Sequence, residues 1–95
     1  MKEIILVNVV GNDRPGLTAL LTDILARYEA EVLDIGQAVI HDHLSLGMLI
    51  DLPDGEKSYQ VLKELLFKAH ELGLTIRFTP EDFQIVPPDP PKEQL

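Results

Sequence analysis

The order of two hydrophobic periods along residues 4–78 restricts the fold of this chain more than any other feature. Ile4 to Val10 is an apolar run interrupted by Asn8 and rich in Ile and Val, which is typical of a buried central strand. Apolar residues then recur at helical spacing and predict one buried face of a first helix: Leu17, Leu20, Leu21, Ile24, Leu25 and Tyr28. The chain is therefore expected to begin with a strand followed by a helix.

Two strands are predicted next, over residues 32–40 and 44–51. In the second of them, Leu44, Leu46, Met48 and Ile50 alternate with Ser45, Gly47, Leu49 and Asp51, and this strand is expected to pair back on the first through a turn near Asp42. A helix is predicted from about Glu56, and a last strand covers residues 74–78. The predicted inward residues of that second helix are Tyr59, Leu62, Leu65, Leu66, Ala69 and Leu72.

The resulting order, β-α-β-β-α-β, is that of the ferredoxin-like fold, an α+β architecture. Right-handed crossovers put both helices on one face of a four-stranded antiparallel sheet, in which we expect the two central strands to run parallel. The other face is left open. An open apolar face or a sheet edge is expected to meet a partner.

The chain has 95 residues, enough for one domain, which we assign to residues 1–80. Residues 81–95 are predicted to be a proline-rich tail or linker, because five of the seven prolines lie between Pro80 and Pro91. Such a stretch is not expected to pair as a strand. At the C-terminal end of the second helix, Gly73 is expected to be a left-handed cap.

Charge and cysteine content exclude several classes of function. Sixteen acidic residues against eight scattered basic ones give a net charge of −8, so neither nucleic acid nor an anionic membrane is an expected partner. The absence of cysteine excludes disulfides, thiolate zinc sites and thiol nucleophiles. No apolar run is long enough for a signal peptide or a membrane span. The expected location is the cytoplasm, and no cofactor is indicated.

Residues 11–17, Gly-Asn-Asp-Arg-Pro-Gly-Leu, resemble the signature turn of ACT domains. Residues 33–41, Leu-Asp-Ile-Gly-Gln-Ala-Val-Ile-His, and the following Leu-Ser-Leu-Gly of residues 44–47 are more particular. They resemble the N-terminal ACT region of bacterial phosphoserine phosphatases of the long type. In that family the ACT region precedes a catalytic domain with an Asp-x-Asp-x-Thr motif, and here no two aspartates are two apart. The resemblance implies a regulatory portion without the catalytic machinery, and not an enzyme in itself.

The loop after the first strand is the candidate ligand site. N–H groups at the start of the following helix carry partial positive charge and suit a carboxylate. Gly11 and Gly16 allow close approach, Asn12 and Asp13 offer oxygens to an ammonium group, and Arg14 could pair a carboxylate. The resemblance implies a small amino acid, with serine favoured, bound where this loop meets a neighbouring domain's strand.

Each of these residues also has a purely structural interpretation. Asp13 is a natural helix N-cap, Pro15 fits the first helical turn, and Asn12 suits the turn itself. Gln37 either hydrogen-bonds across an interface or to a ligand, or is simply solvated. Glu31 falls where amino-acid-binding ACT domains often carry Asn; its carboxylate would repel a ligand carboxylate but attract an ammonium group.

Metal binding and nucleophilic catalysis are not indicated. His41 and His43 would share one face of a strand, but zinc sites need three or four ligands and His70 is expected to lie far away. The two histidines are interpreted as a polar hairpin end. Ser45 and Ser58 are predicted to lie within regular elements and not on a strained nucleophile turn.

Two functions remain open. The first is a regulatory amino-acid-binding module that forms a homodimer or pairs with a second ACT domain. The second is a ligand-free interaction scaffold or standalone ACT regulator. A ferredoxin-like enzyme or an RNA binder is disfavoured, because the predicted central strands carry no stacking aromatics and the charge is acidic.

Overall fold

A computed structural model describes residues 3–81 and confirms the predicted element order. The elements are β1 (Glu3–Asn12), α1 (Leu17–Arg27), β2 (Glu31–Ile40), β3 (His43–Leu52), α2 (Glu56–Glu71) and β4 (Thr75–Glu81). They form one four-stranded sheet in the order β2-β3-β1-β4. The ferredoxin-like α+β fold predicted from the sequence is therefore confirmed.

Every pair of neighbouring strands is antiparallel. The two central strands, β1 and β3, were expected to be parallel, and this expectation is wrong. The crossover through α1 makes β1 and β2 run the same way, but β3 returns from β2 through a hairpin and is itself the neighbour of β1. The parallel strands β1 and β2 are thus not neighbours in the sheet.

Alternate residues of β1 and β3 face the helices and form the centre of the core. Ile5 lies opposite Ile50 and Val7 opposite Met48, and all four side chains are buried. The helices cover them with these buried residues: Leu17, Leu21, Ile24, Leu25, Val61, Leu65 and Ala69. Burial of each of the Leu, Ile, Val and Met side chains contributes roughly 1.5–3 kcal/mol. The core therefore lies between the two helices and strands β1 and β3.

The predicted buried face of α2 is only partly correct. Leu65 and Ala69 are buried, but Tyr59 and Leu66 point to solvent, and Val61 takes an inward position instead. The reason is that α2 carries apolar residues on two sides, so that helical spacing alone fits either phase. On α1, the predicted inward residue Leu20 is also exposed, at the margin of a predicted face whose Leu17, Leu21, Ile24 and Leu25 are buried.

The start of α1 differs from the prediction, whereas the end of α2 agrees with it. Asp13 is not the N-cap of α1; Gly16 holds that position with a φ of 78°, and Pro15 lies before the helix. Gly73, with a φ of 74°, is the left-handed residue after α2, as predicted. Its neighbour Leu74 donates an N–H···O bond of 2.8 Å to the Ala69 carbonyl, which completes a Schellman motif.

The last strand is longer than predicted. β4 continues to Glu81, and Pro80 lies opposite Ile5, so the expectation that this proline stands outside any strand is wrong. Proline is tolerated here because β4 is an edge strand among the described residues, where one side of the backbone has no ladder partner. The rest of the predicted tail, residues 82–95, lies outside the described residues.

Candidate functional site

Residues 11–16, the candidate loop, comprise the last two residues of β1 and the connection of residues 13–16 to α1, and they lie at the end of the sheet where β2 turns into β3. The Asp13 N–H donates to the Asp42 carbonyl at 2.8 Å, and Asn12 lies opposite His43 in the β1–β3 register. This backbone bond holds Asp13 at the hairpin, which explains why it does not cap α1. The loop and the β2–β3 turn therefore form one continuous corner of the molecule.

Gly11 is needed for packing within this chain. A Cβ built on Gly11 would lie 2.5 Å from Cδ2 of Leu74, a buried residue at the start of the β4 segment. Within this chain, Gly11 therefore allows the close approach of the Leu74 side chain. No atom of residues 3–81 lies within 4 Å of the equivalent Cβ position at Gly16, and the left-handed φ of Gly16 is what the turn into α1 requires.

The polar side chains of the loop are exposed. Arg14 Nη2 donates to the Leu72 carbonyl at 3.5 Å, next to the C-terminal end of α2, where a cation is favourable. Asn12 and Asp13 are exposed beside it. Because guanidinium has five N–H donors, Arg14 retains donors for a bound group while keeping this contact.

The first turn of α1 presents N–H groups at the same corner. The Leu17 N–H bonds the Arg14 carbonyl at 3.3 Å, and the Leu20 N–H bonds the Gly16 carbonyl at 2.9 Å. Helix geometry leaves the intervening N–H groups of Thr18 and Ala19 without an intrahelical acceptor. The end of α1 can therefore receive a carboxylate.

Gln37 has a partner that sequence reasoning missed. Its Oε1 accepts a hydrogen bond of 3.0 Å from Thr18 Oγ1, and its amide group still has two N–H donors to offer to a second molecule. Gln37 lies opposite the buried Leu46 and thus on the helix side of the sheet, beyond the area that the helices cover. In the sequence, only the polar character of Thr18 in the first turn of α1 pointed to this contact.

Glu31 lies at the far end of β2 from the loop. It pairs with Asp51 in the β2–β3 register, whereas Ile40 pairs with His43 beside the loop. Ten residues of strand separate the two ends by about 30 Å. Within one chain, Glu31 and residues 11–16 are therefore not brought together. Glu31 instead lines an acidic depression of about 250 Å³ with Glu29, Asp51 and Asp54.

The two hairpin histidines are not on one strand. His41 lies in the turn with a φ of 57°, and His43 is the first residue of β3. Among residues 3–81 there is no group of three or more His, Cys, Asp or Glu side chains that could hold a metal ion. Over the same residues, neither helix has the length and apolar character required to cross a membrane.

Comparison with known proteins agrees with this fold and identifies the family. Residues 3–79 match the family model of the ACT domain. The chain belongs to the ACT domain family. This match confirms the family predicted from residues 11–17 and 33–47. ACT domains are regulatory ligand-binding modules.

The relatives of this ACT domain include small proteins and longer enzymes. UPF0237 protein MK1213 of Methanopyrus kandleri is 40% identical over 77 residues, which cover 80% of this chain and 86% of that protein. Phosphoserine phosphatase SerB2 of Mycobacterium tuberculosis is 33% identical over 79 residues, which cover 82% of this chain and 19% of the phosphatase. An ACT domain protein from Streptococcus pneumoniae has the same fold, with a TM-score of 0.68, 18% identity and coverage of 82% of this chain and 89% of that one.

Proposed function

We propose that this ACT domain senses a small amino acid, with L-serine favoured, and works as a homodimer or paired with a second ACT domain. The observation that carries the proposal is the meeting of the loop, the α1 N-terminus and the free edge of β2 at one corner. The proposed binding residues are Gly11, Asn12, Asp13, Arg14, Pro15, Gly16 and Gln37. We further propose a domain over residues 1–80 followed by a linker, in a cytoplasmic protein.

The outer edge of β2 supports the proposed dimer. β2 has ten residues, pairs with β3 on one side, and carries exposed Leu33, Ile35, Val39 and Ile40. A long apolar edge strand is a template for pairing with another strand. Antiparallel pairing of two β2 edges about their middle would bring Glu31 of the second copy beside Ile40, next to the loop. A complete site would then need two chains.

The chemistry of the corner suits an amino acid. The N–H groups of Thr18 and Ala19 would bind its carboxylate, with Arg14 in reach as a second donor. Asn12 and Asp13 would accept hydrogen bonds from its ammonium group. Serine is favoured because phosphoserine phosphatase SerB2 is a relative, and its hydroxyl could bond the Thr18–Gln37 pair. In a longer protein, ligand binding would bias the paired ACT domains by about 1–3 kcal/mol.

The test is thermal unfolding of the 95-residue chain at rising L-serine, with glycine and D-serine as comparisons. A ligand at about 100 times its Kd adds roughly 2.7 kcal/mol, which for a domain this small raises Tm by about 10 °C or more. Asp13→Ala is expected to remove the rise, while the matched variant Asp23→Ala, on the exposed side of α1, should retain it. The absence of a stereoselective rise at millimolar L-serine would contradict the ligand assignment.

A ligand-free scaffold or standalone regulator is the second candidate. Glu31 favours it, because a second copy would bring this carboxylate to the corner that already carries Asp13. The match over 86% of the small protein MK1213 also agrees with an ACT domain that acts without a catalytic partner in the same chain. A dimer that persists without any amino-acid response would support this candidate over the first.

A further inference from the structure

The large apolar side chains that are exposed between residues 3 and 81 fall on two separate surfaces. One is the β2 edge with the adjacent Leu20 of α1. The other lies on α2, where Tyr59 is 69%, Leu66 50% and Phe67 63% exposed. The β2 edge is occupied in the proposed dimer. The α2 surface has no role in that dimer or in amino-acid binding, and its exposed aromatics therefore indicate a separate contact.

The exposed side chains of α2 form a stripe suited to pairing with another helix. Tyr59, Lys63, Leu66 and His70 follow one another at steps of four, three and four, and Phe67 flanks them. This spacing is that of a helix–helix seam. We call these five residues the outer face of α2.

A depression lies beside the outer face. Tyr28, Gln60, Lys63, Glu64 and Phe67 line this open space of about 350 Å³. It is large enough to receive one aromatic side chain. The outer face thus presents both projecting side chains and a recess next to them.

The charge of α2 favours a second copy of this chain as the partner. The whole chain has a net charge of −8, so two copies repel each other over most of their surfaces. α2 carries three Glu and three Lys and is balanced. Glu56, in the first turn, lies on the same side of α2 three positions before Tyr59, and the basic Lys63 and His70 follow on that side, so two identical faces can set opposite charges against each other.

We infer that the outer face of α2 binds the same face of a second copy, with the two helices antiparallel and a two-fold axis at Lys63. This register sets Tyr59 opposite Phe67 of the second copy, at both ends of the contact. It also sets Glu56 opposite His70 of the second copy. Opposed helix dipoles favour the antiparallel direction.

Lys63 is compatible with its position on the axis. Its Nζ lies 5.8 Å from the centroid of the Tyr59 ring, so its ammonium group leans toward the N-terminus of its own helix. In an antiparallel pair, the two ammonium groups lean away from each other. Each would lie over an aromatic pair formed by Tyr59 and the opposing Phe67, which strengthens its attraction to the ring face.

The contact between two single helices is small compared with the 1,200–2,000 Å² or so of a stable specific interface. We therefore expect weak, reversible association at high protein concentration. Combined with the proposed β2-edge dimer, a second two-fold contact would join dimers into tetramers or longer assemblies. The α2 contact does not depend on the β2 contact or on the ligand.

The absence of native cysteine permits a direct test with single-cysteine variants of the full chain. Under oxidation, Lys63→Cys is expected to form a disulfide-linked dimer, since its thiols face each other across the axis. Lys57→Cys has the same charge change on an exposed, off-stripe position of the same helix and is expected to remain largely unlinked. Equal cross-linking of the two variants would overturn the inference.

Sedimentation equilibrium provides the second measurement. Phe67→Ser is expected to weaken the high-concentration association by about tenfold or more, as for an aromatic anchor of an interface. Leu20→Ser, on the other surface, should leave that step unchanged. Equal masses for Phe67→Ser and the wild type at every concentration would overturn the inference. The serine response of Phe67→Ser should be intact, so failure here is distinct from failure of the ligand proposal.

Discussion

Thr18 Oγ1 donates a 3.0 Å hydrogen bond to Oε1 of Gln37, which joins the first turn of α1 to the middle of β2. Because both groups are exposed, the bond is expected to contribute about 0.5–1 kcal/mol. A double-mutant cycle with Thr18→Val and Gln37→Leu, measured by urea unfolding, should give a coupling energy in that range. Thr22→Val serves as control, since the Thr22 hydroxyl bonds the Thr18 carbonyl and should not couple to Gln37. A coupling of zero between positions 18 and 37 would contradict this account.

Substitution by alanine is expected to destabilise the protein at Gly11 and to have little effect at Gly36. In Gly11→Ala the new methyl group would meet Leu74 Cδ2 at 2.5 Å, and the Leu74 Cα at 3.4 Å limits how far the side chain can give way. We expect a loss of about 1–3 kcal/mol, as for other overpacked cores. The methyl group of Gly36→Ala meets no atom within 4 Å in the described part of the chain, and the substitution should change stability by less than about 0.5 kcal/mol. Chemical denaturation of both variants checks the contrast, and equal losses would rule out the proposed clash.

The strands of this ACT domain could be predicted because their signal is local. The apolar run over residues 4–10 and the alternation over residues 44–51 depend only on neighbours along the chain. The choice of which side of α2 faces the core has no such local signal, because Leu66 is as apolar as Val61 and Leu65, and Tyr59 carries a large aromatic ring. The choice between them depends on where the sheet lies, which no window of sequence contains.

The candidate site was predicted less completely for the same reason. The loop itself carries a recognisable pattern, and its position at the start of α1 follows from the element order. Asp13 fails as a helix cap because Asp42, on the distant hairpin, holds its N–H. The Thr18–Gln37 bond joins residues 19 positions apart and depends on α1 lying against β2. Such contacts follow from tertiary packing and not from residue type.

Gly73 predicts a loss of stability that comes from backbone conformation alone. Its φ of 74° is left-handed, and none of the described atoms lies within 4 Å of a Cβ built there, so Gly73→Ala is strained without a clash. The expected cost is about 1 kcal/mol, or roughly 4–8 °C in Tm. Gly73→Asn should lose less, because Asn tolerates the left-handed region better than Ala. Thermal unfolding ranks the three proteins, and a Gly73→Asn variant less stable than Gly73→Ala would contradict the argument.

Glu64 joins the two helices and predicts an acid-dependent term in stability. The Tyr28 hydroxyl donates to its Oε1 at 2.5 Å and Arg27 Nη2 donates to its Oε2 at 2.8 Å. The Tyr28 bond, assisted by Arg27, holds the pKa of Glu64 below its ordinary value of 4.5. A lowered carboxyl pKa stabilises the fold above pH 4.5, and this stabilisation is lost as the pH falls through the lower folded value.

The measurement for Glu64 is a carboxyl-carbon NMR titration of wild type and Tyr28→Phe. We expect the Glu64 pKa to rise toward 4.5 in the variant, because its largest cause is removed. In denaturation at several pH values, the stability advantage of wild type over Glu64→Gln should shrink below pH 4.5. An unchanged Glu64 pKa in Tyr28→Phe would show that the hydroxyl does not hold the carboxylate in solution.

Glu31 is expected to affect the affinity for the amino acid, because the proposed β2-edge dimer carries it to the ligand corner of the opposite chain. There its carboxylate would lie near the ligand's own carboxylate, and a repulsion on the order of 1 kcal/mol weakens binding several-fold. Glu31→Asn is therefore expected to enlarge the Tm rise at a fixed L-serine concentration. Glu29→Gln, at the same end of β2 and on the same acidic depression, is the matched control and should leave the rise unchanged. A smaller rise in Glu31→Asn would mean that Glu31 binds the ligand's ammonium group, and the orientation proposed for the amino acid would then be reversed.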